Sequence, residues 1–204
     1  MKRACSRIAY ALGEFFLLTF FALLPFIAVY LDAIVIGNNL NEFSVTEISQ
    51  ETLLLLTAII FWYGTWQHPD SRGFFALAGG FFTCALIRES DSFLDAIWHG
   101  FWVWPATILS LSTVFYVVIY CQKSVIKPAS EFIGTKPYLF IVIGLVTLLV
   151  LSRTLGSGNL LWNEILEEAY TQKFKSILQE GLELFGYVNI AYGSVLLFFK
   201  RYNP

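Results

Sequence analysis

Residues 15–31 read FFLLTFFALLPFIAVYL, a run of 17 residues without a charge, entered past Glu14 and closed by Asp32. Its apolar residues show no alternation and no single polar face. A backbone crossing hydrocarbon has no water to satisfy its N–H and C=O groups, so a run of this kind must be a helix rather than a strand. Five more runs follow, bounded by charges, turn residues or proline: Leu53 to Trp66, Gly73 to Ile87, Ala96 to Cys121, Tyr138 to Leu151 and Ile177 to Phe199. The expected fold is therefore all-α, a polytopic membrane bundle of six transmembrane helices forming a single integral membrane domain over residues 1–204.

Composition agrees. Of 204 residues, 57% are hydrophobic and 14% charged, with a mean hydropathy of +0.65. Soluble domains carry about 25% charged residues, and a water-soluble chain of this size could not hide so much apolar surface. A net charge of −2 and the lack of a basic stripe argue against a nucleic-acid partner. Cys5, Cys84 and Cys121 are far apart and do not suggest a disulfide.

The Lys/Arg bias orients the spans. With the N-terminus in the cytoplasm, the inner segments hold Lys2, Arg3, Arg7, Arg72, Lys123, Lys127, Lys136, Lys200 and Arg201, and the outer ones Arg88, Arg153, Lys173 and Lys175. Nine against four is the asymmetry of the positive-inside rule. Six spans then leave both termini cytoplasmic, in a cell inner (plasma) membrane. The basic start and apolar stretch resemble a signal peptide, but no small-residue cleavage site follows Val29-Tyr30-Leu31-Asp32, so the first helix is expected to be retained.

Polar residues collect on the outer side. The second and third runs have 14 and 15 residues, roughly 21–23 Å of helix against a hydrocarbon thickness of ~30 Å. Such a shortfall draws flanking polar groups inward or marks helices sheltered by neighbours. Arg88, Glu89, Asp91, Asp95 and His99 follow the third run within a few turns. Asp95 and His99 share a face if the fourth helix begins before Asp95, and the carboxylate would then orient the imidazole as a general acid/base. Asp95 could instead cap a helix, and His99 could belong to an aromatic belt with Trp98, Trp102 and Trp104.

The sixth run carries Glu180 and Glu183 in its first turns, with Tyr187 on their face. Carboxylates at that depth should face the bundle interior and need partners, for which Arg88 and Arg153 are the candidates. Between the fifth and sixth runs, Leu160 to Thr171 reads as a short amphipathic helix in the outer interface, with Glu164, Glu167 and Glu168 in one arc.

The inventory limits the chemistry. His68 and His99 fall on opposite sides of the membrane, so they cannot share a haem or another metal ion. No phosphate-binding glycine loop suggests a nucleotide, and no nucleophile elbow or Cys-x-x-Cys is present. His99 with Glu89, Asp91, Glu180 or Glu183 could hold a divalent cation, although nothing fixes which. The leading expectation is a structural or accessory membrane subunit, with a protein partner in the membrane and an Arg/His/carboxylate cluster that locks helices. The alternative is an enzyme acting on a membrane lipid or its headgroup at the outer leaflet. It would use His99, Asp95 and Glu183 as catalytic groups, Arg88 and Glu180 as substrate-binding groups, and Glu89 and Asp91 as metal ligands. A small ion-coupled transporter is the third expectation, weakened by the shallow charges and the lack of a visible repeat.

Overall fold

A computed structural model describes residues 2–37, 43–157, 162, 165 and 171–202, and every element among them is helical. Helix α1, Lys2–Tyr30, absorbs Pro25 and continues as a π-helical segment, Leu31–Ile36. Gly37 ends it at φ +71°, its N–H bonding the Asp32 carbonyl, a left-handed cap that favours glycine. Helix α2, Val45–Gln67, turns through Pro69–Ser71 into α3, Arg72–Glu89. A single turn, α4 (Asp91–Asp95), precedes α5, Val103–Tyr116, which runs on through Val117–Cys121. Then come α6 (Ile126–Phe132), α7 (Lys136–Val146, continuing to Leu151), α8 (Ser152–Leu155) and α9 (Gln172–Tyr202).

Five of these stretches are long and apolar enough to cross a membrane: Cys5–Ile36, Val45–Gln67, Val103–Ser124, Lys136–Leu155 and Lys173–Phe199. The run from Gly73 to Ile87 is the exception among the six expected. It forms α3, but its 18 residues include Arg72, Arg88 and Glu89, so length and composition alone do not mark it as a span. The short second run has a different explanation. Its helix is 23 residues long, and the added turns carry Thr46 and Gln50, polar but fully buried against protein. The fourth helix starts later than expected, at Val103, because residues 96–102 form turns with Gly100 at φ +83°. The expected amphipathic helix from Leu160 to Thr171 lies outside the described residues except for Trp162, Ile165 and Thr171.

Helix α9 is the hub. It packs on α7, α2 and α1, and it is the most buried of the five candidate spans. Backbone proximity makes this possible: a Cβ on Gly144 of α7 would stand 2.5 Å from the Gly186 carbonyl oxygen of α9. Without a hydrophobic force between helices in lipid, such close approach is how van der Waals packing holds them. Helix α2 lies between α9 and α3, and α3 in turn carries α5. Between α2 and α3, Phe61 stacks on Phe82 with centroids 5.3 Å apart, and the Trp62 indole N–H donates to Thr83 Oγ1 at 2.9 Å. The α5 stretch is the least buried of the five, so it forms one edge of the bundle.

Candidate functional site

The end of the bundle that carries the α1–α2 connection also carries the end of α3, α8 and the first turns of α9. It is held by a carboxylate. Asp32, fully buried, accepts hydrogen bonds from the Val45 N–H (2.9 Å), the Thr46 N–H (2.8 Å) and the Thr46 hydroxyl (2.6 Å). The two N–H groups are donors that a helix N-terminus leaves unsatisfied, and Ser44 caps the next one, from Glu47, at 3.1 Å. Lys173 at the start of α9 reaches the Ala33 carbonyl, at 3.2 Å. The ends of three helices, α1, α2 and α9, are thus tied at one level.

One turn below Thr46, Gln50 donates through Nε2 to the Glu180 carboxylate at 3.1 Å and to the Glu180 carbonyl at 3.2 Å. This contact joins α2 to α9 and accounts for one of the two carboxylates of the sixth run. Gln50 Oε1 and Thr57 Oγ1 on the same face are buried without a hydrogen-bond partner among the described residues, a costly state in a packed interior.

The second carboxylate faces another way. Glu183 is 7% exposed, accepts from the Gln179 amide at 3.1 Å, and lines a pocket of about 290 Å³ with Arg88, Glu89, Arg153 and Tyr187. Arg88 Nη1 pairs with Glu89 Oε2 at 3.0 Å, and the Tyr187 hydroxyl donates to the same oxygen at 3.1 Å. The rest of the lining is apolar and includes Leu54, Phe82, Leu145 and Leu148. Phe81 and Leu149 also line the pocket and are 52% and 69% exposed, so it opens on the bundle's flank between α3 and α7. Polar groups at one end and hydrocarbon below make the pocket amphiphilic.

The structure therefore brings Arg88, Glu89 and Glu183 together with Arg153 and Tyr187, and places Glu180 one helical face away with Gln50. Asp91 opens α4 and acts electrostatically on Glu89 from just beyond it. Asp95 and His99 form a separate pair, His99 Nδ1 lying 3.0 Å from Asp95 Oδ2. Asp95 also accepts from the Gly100 N–H at 2.9 Å, so it caps the turn while holding the imidazole. The His99 side chain is fully exposed and does not line the pocket. Among the described residues, no three His, Cys, Asp or Glu side chains converge in a metal-holding arrangement.

Sequence reasoning missed Asp32, Thr46, Gln50 and Gln179. Asp32 looks like the polar end of a span, and Thr46 and Gln50 fall before an apolar run. The available signal was the S-x-x-E pattern Ser44-Val45-Thr46-Glu47, which marks a helix start two turns earlier than hydropathy does.

No protein-family model, curated protein or solved structure matches the chain.

Proposed function

We propose that this is a six-span inner-membrane protein with cytoplasmic termini, and that its extracytoplasmic end holds the headgroup of a membrane lipid in the Arg88–Glu183 pocket. Counting α3 as the sixth span is supported by its position between α2 and α5 and by its length, about 27 Å at ~1.5 Å per residue. Arg72 and Arg88 stand at its two ends, where long side chains can reach the interfaces. With α3 crossing, the nine-to-four distribution of Lys and Arg follows the positive-inside rule.

The observation that carries the headgroup reading is the pocket's division: guanidinium, carboxylate and phenol groups above, leucine and phenylalanine below, and a mouth on the lipid-facing flank. A soluble ligand gains nothing from such a mouth, whereas a lipid can enter sideways with its chain still in hydrocarbon. If chemistry follows binding, Glu183 and Glu89 are the acid–base groups within reach of the bound headgroup, with the Asp95–His99 pair outside it. Photo-crosslinking with a phospholipid carrying a diazirine near its headgroup tests the reading. Adducts should concentrate on residues 145–153 and the end of α3, and should fall in an Arg88→Gln, Arg153→Gln double variant. Uniform labelling around the bundle, unchanged by that variant, refutes it.

A second reading, the accessory subunit, is favoured by α5. This helix packs on the bundle through α3 and turns Leu111, Val114, Phe115 and Val118 outward along a shallow groove. Gentle detergent extraction should then recover a stoichiometric membrane partner, and a lone monodisperse chain argues against that role.

A further inference from the structure

Resting on the headgroup reading above, we infer that the preferred occupant is a phospholipid whose headgroup pairs a primary ammonium with the phosphate. The charges of the pocket divide into a closed pair and two open groups. Arg88 and Glu89 neutralise one another at 3.0 Å, and Tyr187 adds its hydroxyl to the same carboxylate. Arg153, exposed on α8, makes no hydrogen bond or ion pair among the described residues. Among the described residues, Glu183 has only the uncharged Gln179 amide as a hydrogen-bond partner. These two line the same pocket but do not pair with each other.

A buried carboxylate without a cation is an expensive group to maintain. Glu183 is also an electrostatic neighbour of both Glu89 and Glu180, so a cation arriving beside it meets several acidic groups at once. Arg153 at the rim offers the complementary feature, a planar fork suited to phosphate oxygens. An anionic headgroup with no amine would satisfy Arg153 but bring negative charge toward Glu183 and Glu89. A quaternary ammonium carries the charge but no N–H, so it cannot hydrogen-bond Glu183. A primary ammonium with a phosphate answers both open groups, and its acyl chain lies on Leu148 and Leu149.

The test is competition on the purified full-length chain. Phosphatidylethanolamine, phosphatidylcholine and phosphatidylglycerol with matched dioleoyl chains are supplied in equal amounts, and adducts are read by native mass spectrometry. Phosphatidylethanolamine should be retained roughly tenfold over each competitor, the value of one charge-assisted hydrogen bond. Glu183→Gln should erase that preference by lowering phosphatidylethanolamine adducts to the level of the other two lipids, and Arg153→Gln should lower all three. Equal retention of the three lipids by the unmodified protein, or a preference for phosphatidylglycerol, overturns the assignment, as does a preference that survives Glu183→Gln. Failure of the headgroup reading itself looks different: Leu149→Trp at the mouth and Arg153→Gln would both leave total adducts unchanged.

Discussion

Replacing Asp32 by alanine should cost more stability than any other single polar change at this end of the bundle. The side chain has no solvent exposure and accepts, among the described residues, three hydrogen bonds between 2.6 and 2.9 Å from α2, two of them from backbone N–H groups. A hydrogen bond to a charged acceptor is worth about 1.5–3 kcal/mol net. The three do not add fully, because Ser44 still caps Glu47 and the Val45 N–H is only partly buried. A loss of about 3–5 kcal/mol results, close to the cost of breaking a buried charged contact. At ~2–4 °C per kcal/mol for a chain of this size, Tm should fall by roughly 6–20 °C. The assay is thermal unfolding of the detergent-purified chain followed by size-exclusion recovery. Asp32→Asn keeps one acceptor and should lose about 1–2 kcal/mol, and Thr46→Val, which removes one donor, about 1 kcal/mol. If Asp32→Ala melts within about 2 °C of the parent, or if Thr46→Val costs as much, the carboxylate is not what joins α1 to α2.

Gly186→Ala puts a Cβ 2.6 Å from Leu148 Cγ and 3.0 Å from the Gly144 carbonyl oxygen, so it should separate α7 from α9 and cost about 1–3 kcal/mol in the same melt. Glu14→Gln, which removes the exposed ion pair with Lys136, should cost about 0–1 kcal/mol and leave the melt nearly unchanged. The proposed orientation predicts that a membrane-impermeant maleimide labels the exposed Cys5 in inverted vesicles and spares it in right-side-out ones; the reverse pattern means that the chain is threaded the other way.

The helices were legible because apolar runs long enough to span can fold only one way in hydrocarbon. Their starts were less legible where polar residues face protein. Thr46 and Gln50 lower the hydropathy of α2 as a loop would, yet their partners are Asp32 and Glu180, distant in sequence and invisible to a local window. Glu180 and Glu183 show the same limit on a finer scale. Three residues apart, they point about 60° from one another around a helix with 3.6 residues per turn, and that angle sends one to Gln50 and the other to the pocket. Arg88, Glu89 and Tyr187 could be anticipated because charges at adjoining helix ends have few places to go. The pairing of His99 with Asp95 could be anticipated from their spacing, but its separation from the pocket could not, since residues 96–102 form turns with Gly100 in a left-handed conformation.

The central position of α9 bears on how the molecule is made. Among the described helices, the most deeply buried of the five candidate spans is synthesised after the other four. Until it arrives, the earlier segments wait in the bilayer with Gln50 and the close-packing surface around Gly144 of α7 unmatched. Assembly would then resemble driving a keystone into an arch, with the preceding helices loosely associated and locked together only by the final insertion. A nascent chain stalled just before residue 172 should accordingly remain a substrate for membrane quality-control proteases, whereas one released after residue 199 should escape them.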